Sequence, residues 1–177
     1  MRRVMVVDET RCVGCEACVI ACKNENAVPP GEYRDWVVQE LRGEYPSLEL
    51  SIRSERCNHC GSAPCVSNCP TGASYYRGDG TVQIDRELCT GCRACIAACP
   101  FEARFVHPEG YVDKCTLCVH RLDRGLRTAC EEVCPTGAIA VGDADDPRSD
   151  VSLRLRRGSA QSVNAGAGTR PNISYVR

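Results

Sequence analysis

Sixteen of the 177 residues are cysteine, and each belongs to a group of four. The first group is Cys12-x2-Cys15-x2-Cys18-x3-Cys22, and the second is Cys57-x2-Cys60-x4-Cys65-x3-Cys69, followed by Pro70. The third is Cys89-x2-Cys92-x2-Cys95-x3-Cys99 before Pro100, and the fourth is Cys115-x2-Cys118-x11-Cys130-x3-Cys134 before Pro135. Thiols at such density either form disulfides or bind metal, and compartment and spacing decide between the two. A disulfide scaffold belongs to an exported chain, yet Val4-Met5-Val6-Val7 before Asp8 is too short for the apolar heart of an export signal. No stretch reaches the roughly 18 apolar residues of a membrane span. A zinc site calls for separated pairs, four ligands per ion and often a histidine. Triplets at x2-x2 spacing that end in Cys-Pro are the pattern of [4Fe–4S] ligation.

The physical reason lies in the shape of that group. A cube presents four irons, each taking one thiolate. Two-residue spacers let a tight loop wrap three corners, with backbone N–H groups turned toward the sulfides. The fourth cysteine, three residues further on, faces a different cube, as in two-cluster ferredoxins. Groups one and three carry this run unchanged, while groups two and four lengthen the step between the second and third ligands. Four quartets with no remainder predict four [4Fe–4S] clusters, with all sixteen cysteines as iron ligands.

Elements that could position such loops repeat along the chain. Pro70-Thr71-Gly72-Ala73 recurs as Pro135-Thr136-Gly137-Ala138, and Pro100-Phe101-Glu102-Ala103 holds the same place in group three. Each is followed by a β-prone run: Ser74–Tyr76, Arg104–Val106 and Ile139–Val141. Comparable runs precede the groups at Val4–Asp8, Thr81–Asp85 and Tyr111–Asp113, and the third and fourth cysteines lie in Ala-rich, helix-compatible segments. Each unit reads strand, cluster loop, short helix, proline, strand. The expected fold is therefore α+β: two bacterial-ferredoxin-like modules in one chain, with loop insertions and a C-terminal extension. Groups two and three are close enough in sequence to share a module. That leaves one and four to pair across it, although a sequential pairing satisfies the spacing too.

Apolar residues make up 43% of the sequence, but that figure includes the cysteines, and aromatics reach only 5%. Such a chain needs something beyond apolar packing to hold it together. The net charge of −1 hides a division, since residues 148–177 carry six Arg and one Asp and the remainder is acidic. Six scattered arginines without interleaved aromatics match no nucleic-acid module. This extension is expected to lie on a partner or on the chain's own modules. Arg11, Arg56, Arg93 and Lys114 sit beside ligand cysteines, where positive charge would raise a cluster's potential. His59, His107 and His120 are isolated, and Asp145-Asp146 and Glu131-Glu132 read as solvated carboxylates. No catalytic constellation remains once the cysteines are used.

The stretches Cys12–Gly31, Cys57–Tyr75, Cys89–Pro108 and Gly110–Ala138 carry a resemblance, with Gly168-Thr169-Arg170-Pro171 adding to it. Together they resemble the four-cluster iron–sulfur β subunit of the dimethyl sulfoxide reductase molybdoenzyme family, and within it the β subunit of polysulfide and thiosulfate reductases. Lys23 stands where proline would follow the fourth ligand of group one. The resemblance implies crossed ligation: Cys12, Cys15, Cys18 and Cys134 hold cluster one, and Cys115, Cys118, Cys130 and Cys22 hold cluster four. Cluster two takes Cys57, Cys60, Cys65 and Cys99, and cluster three takes Cys89, Cys92, Cys95 and Cys69. It further implies an outer module from residues 1–52 with 108–147, an inner module from 53–107, and a 148–177 extension docking on a partner. The implied role is electron transfer, without catalysis, between a molybdopterin catalytic subunit and an integral membrane quinone-binding anchor. The implied place is the periphery of a prokaryotic cytoplasmic membrane, on the periplasmic face through folded co-export with the partner or on the cytoplasmic face. A free-standing polyferredoxin is the rival reading, and a zinc-binding structural module is a third.

Overall fold

Strand β1 (Arg3–Asp8) explains its own apolar run, because both of its faces are covered. In the computed structural model, which describes residues 1–157 and 159–177, it is the middle strand of a three-stranded sheet. Gly158, in the Gly/Ser/Ala-rich stretch of the extension, lies outside the described residues. Met5 and Val7 face a core with Cys18, Val19, Leu117 and Cys130. Val4 and Val6 face the opposite way, toward Ala140 and Val151. The alternation of a strand thus feeds two cores, which is why the run is continuous rather than alternating. Full burial of a Met or Val side chain is worth roughly 1.5–3 kcal/mol, so this strand is a principal source of stability.

The neighbours of β1 come from far along the chain. Strand β8 (Ile139–Asp143) pairs with it antiparallel, Met5 facing Val141, and β9 (Ile173–Val176) pairs parallel, Met5 facing Ile173. The β1–β8 pairing brings the start of group one beside the end of group four. Helix α6 (Asp150–Arg157) packs on the same sheet and buries Val151 completely. The extension, expected to dock on a partner, is therefore taken up by the protein itself at α6 and β9. Between them, Gly61 N–H donates to the Arg170 carbonyl (2.8 Å), Ser62 N–H to Thr169 (2.9 Å) and Asn172 N–H to Asn58 (2.9 Å). Residues 169–172 thus lace the group-two loop to β1, where Met5 N–H donates to the Asn172 carbonyl. A second tie runs from Arg3 to Asp79, at 3.0 Å. Burial opposes the charge of Asp79, but two Thr81 hydrogen bonds with Arg77 and Arg3 hold its carboxyl below the usual range.

A long hairpin between the first two groups departs from the expected pattern. Strands β2 (Asp35–Glu44) and β3 (Ser47–Arg56) pair in register from Asp35–Arg56 to Glu44–Ser47. Its base is buried at Asp35, Ser54 and Arg56, whereas Leu41, Leu50 and Tyr45 near its tip are more than half exposed. Two short hairpins follow where the β-prone runs predict them, β4 (Ser74–Tyr76) with β5 (Val82–Ile84) and β6 (Phe105–Val106) with β7 (Val112–Asp113). The helices also fall where expected. Cys18 and Cys22 lie in α1 (Ala17–Glu25), Cys65 in α2 (Pro64–Ser67), Cys95 in α3 (Ala94–Ala97) and Cys130 in α5 (Ala129–Val133), with α4 (Val119–Leu122) between the last two.

Each first Cys-x-x-Cys turns on a left-handed residue just before its second cysteine: Gly14, His59, Gly91 and Leu117. Glycine adopts this conformation freely, whereas other residues lose about 1–2 kcal/mol. Burial of Leu117 and His59 offsets that cost. At Gly91 no side chain is tolerated, because a Cβ would run into the Gly110 carbonyl oxygen. Gly91→Ala is expected to destabilise the protein by about 2 kcal/mol or more. Thermal unfolding measured by circular dichroism checks this, and an unchanged midpoint would reject it.

Candidate metal centres

Two sets of cysteines from the ends of the chain share enclosed spaces. Cys12, Cys15, Cys18 and Cys134 line one, with about 340 Å³ of empty volume partly open to solvent. Cys22, Cys115, Cys118 and Cys130 line the other, of about 310 Å³. In the middle of the chain, Cys57, Cys65 and Cys99 stand close enough to Cys60 to oppose its ionisation. Cys89 and Cys69 stand in the same relation to Cys95. Cys92 lies exposed at the turn of its loop, as does Cys15 in the corresponding loop of group one.

The repeated Pro-Thr-Gly-Ala tetrapeptide serves the sulfur that precedes it. Ala138 N–H donates to Cys134 Sγ (3.2 Å), and the Thr136 hydroxyl lies 3.6 Å from the same atom. Ser74 N–H and the Thr71 hydroxyl take the matching places at Cys69, at 3.4 and 3.7 Å. Burial works against ionisation of Cys134 and Cys69, but these hydrogen bonds outweigh it and hold both thiols below their ordinary value. The thiols deeper inside behave oppositely. Burial pushes Cys60 up to about 11 and Cys115 up to about 12, and Cys22 higher still.

Cations lie among these sulfurs. Arg56 and Lys114 are each 1% exposed and Arg104 is 5% exposed. Arg56 Nη1 donates to Cys130 Sγ at 3.1 Å, and Arg104 Nη2 to Cys65 Sγ at 2.8 Å. Arg56 Nε and both Arg104 Nε and Nη1 are buried without a protein acceptor. Unsatisfied donors next to converging thiols call for an anionic, acceptor-rich group. A [4Fe–4S] cube held by thiolates is such a group, and the donor set, the enclosed spaces and the orphaned N–H groups all fit it. Among the described residues no three His, Cys, Asp or Glu side chains come together closely enough to hold one metal ion, so the sulfurs surround a space rather than a point.

Residues 48–144 and 11–73 match two families, each described as a 4Fe-4S dicluster domain. The protein belongs to the 4Fe-4S dicluster family. Among its dicluster relatives, a polysulfide reductase chain of Wolinella succinogenes is 42% identical over 176 residues, covering 97% of this chain and 92% of the relative. The thiosulfate reductase electron transfer subunit PhsB of Salmonella typhi is 46% identical over 147 residues, covering 81% and 77%. Protein NrfC of Escherichia coli is 42% identical over 180 residues, covering 99% and 81%. As a dicluster protein the chain carries [4Fe–4S] clusters and transfers electrons, and its relatives bear the names of iron–sulfur and electron-transfer subunits rather than catalytic ones.

Several residues that serve these sites have no signature in the sequence. Arg104 is not adjacent to a cysteine, and Thr169 lies 109 positions from Cys60, whose ionisation its hydroxyl favours. Arg11 and Arg93, expected to influence clusters, are exposed. The histidines stand apart. His59 is buried and accepts the Val82 N–H at Nδ1 (3.1 Å), His107 stacks on Tyr111 and His120 bonds Glu25 (2.8 Å).

Proposed function

We propose that this chain is the electron-transfer subunit of a respiratory reductase complex, carrying four [4Fe–4S] clusters between a molybdopterin catalytic subunit and a membrane quinone-reactive subunit. The observation that carries this reading is the continuity of the sulfur sets. Cys57 of group two and Cys115 of group four pack together around Ala103, with Trp36, Cys99 and Phe101 beside them. The sets therefore follow one another as first, fourth, second and third, and the exposed Cys15 and Cys92 mark the two ends.

In this reading Cys12, Cys15, Cys18 and Cys134 hold cluster one, and Cys115, Cys118, Cys130 and Cys22 hold cluster four. Cys57, Cys60, Cys65 and Cys99 hold cluster two, and Cys89, Cys92, Cys95 and Cys69 hold cluster three. Residues 1–52 with 108–147 form an outer module and 53–107 an inner one. Each bound cube supplies a one-electron carrier. The chain's residues exclude water from the central sulfurs, donate hydrogen bonds to them and place buried positive charge beside them, which sets the potentials.

The exposed Leu41, Leu48, Leu50 and Tyr45 on the β2–β3 hairpin suit a surface covered by another subunit better than a freely diffusing carrier. No helix is long and apolar enough to cross a membrane, so attachment to the cytoplasmic membrane would run through the partner, on its periplasmic or cytoplasmic face. Affinity purification from detergent-solubilised membranes, with iron and molybdenum analysis and mass spectrometry, tests the proposal. A large molybdenum-containing subunit and a membrane subunit should accompany a chain holding sixteen irons. A monomer with full iron content would select the free carrier instead.

A further inference from the structure

Three buried cations are distributed among the four sulfur sets in an orderly way. Arg56 interacts with Cys130 and Cys115 of the fourth set and with Cys18 of the first. Its Nη2 meets the Ser54 hydroxyl, which in turn lies 3.3 Å from Cys18 Sγ. Lys114 interacts with Cys57 and Cys65 of the second set and Cys115 of the fourth, and its Nζ donates to the carbonyls of Cys115 (2.8 Å) and Val82. Arg104 interacts with Cys65 and Cys57 of the second set and Cys95 of the third. Every junction in the series first, fourth, second, third therefore contains one buried basic side chain, and each such side chain acts on both of its sets.

We infer that Arg56, Lys114 and Arg104 are junction residues, each raising the reduction potentials of the two clusters it separates; this rests on the ligand sets proposed above. Reduction adds one negative charge to a cluster. A cation between two clusters stabilises the reduced form of both, and little water is present to screen it. It also weakens the repulsion between electrons held on neighbouring clusters. A salt-bridge role alone does not explain the placement. The Asp35 carboxylate is 3.7 Å from Arg56 Nη1, whereas the sulfur of Cys130 is at 3.1 Å, and Arg104 has no carboxylate partner among the described residues. Arginine keeps its charge at every working pH, so the two outer junctions are permanently positive.

The test is an anaerobic redox titration of the purified complex, followed by electron paramagnetic resonance, with iron counted in every sample. Arg56→Gln should lower two of the four potentials, each by at least tenfold in the reduction equilibrium, which is about 59 mV for one electron. Arg104→Gln should lower the other two. Lys114→Met should lower one member of each pair. Arg56→Lys and Arg104→Lys keep the charge and should stay near wild type. The pattern of overlap is the signature, because a merely structural residue would cost iron or broaden all signals without sorting the potentials into pairs. Full iron content with only one potential moved, with all four moved, or with the lysine variants shifted as far as the glutamine variants would overturn the inference and leave the ligand sets standing. A wild-type chain holding fewer than sixteen irons would overturn the ligand sets, and the junction roles with them.

Discussion

Removing the iron is expected to unfold this protein. Nine of its buried apolar side chains are cysteines, and they contribute to three of its four core clusters. Without a bound group the buried Arg56 and Arg104 lose their acceptors, and each uncompensated buried charge costs several kcal/mol. Structural metal sites supply roughly 10 kcal/mol or more to folding, comparable with the whole stability of a domain of about 5–15 kcal/mol. Far-ultraviolet circular dichroism after anaerobic chelation should show loss of helix and sheet, and a native-like spectrum would refute the expectation. The pH dependence has a definite sign. In the iron-free protein, Cys60 and Cys115 titrate at about 11 and 12, whereas an unfolded thiol titrates near 8.5. Any stability these protonated thiols lend is complete below pH of about 8.5 and is lost as pH rises toward the folded values. Cluster loading displaces the same protons, so it strengthens as pH rises.

The second large effect concerns a single sulfur. Cys134→Ser is expected to destroy the first cluster and spare the fourth, although Cys134 belongs to the fourth group in sequence. The pairing of β1 with β8 places Cys134 against Cys12, Cys15 and Cys18, while Cys22 crosses the other way to Cys115, Cys118 and Cys130. Up to four of the sixteen irons should be lost. Anaerobic alkylation read by mass spectrometry should then label Cys12, Cys15 and Cys18 and leave Cys115, Cys118 and Cys130 protected. Labelling of the second trio instead would reject crossed ligation.

The spacing of the cysteines made the chemistry legible, and the β-prone runs around them marked the short hairpins and the helices that carry the ligands. Those elements are local: Ser74–Tyr76 meets Val82–Ile84 across a few residues. What escaped was non-local. In the β2–β3 hairpin the alternation of Leu48, Leu50 and Ile52 is interleaved with Glu, Ser and Arg, and the surrounding Pro and Gly read as loop. β9 is only four residues long and makes sense only beside β1, which no local pattern announces. Arg11 and Arg56 look alike in sequence, each adjacent to a cysteine, yet one is exposed and the other fully buried. Burial of a cation is a property of packing, and adjacency to a ligand does not report it.

The lacing of residues 169–172 over the group-two loop has a consequence for how the protein is made. β1 emerges first from the ribosome, yet its two sheet partners begin at Ile139 and Ile173. During synthesis it must wait as an unpaired apolar strand, while groups two and three, complete by Cys99, can already accept iron. Contacts of such long sequence separation form late, because closing the chain costs entropy before any pairing rewards it. Cluster insertion is thereby ordered in time, the middle of the wire being filled before its first sulfur set can close. A waiting β1 is also the segment most in need of a chaperone.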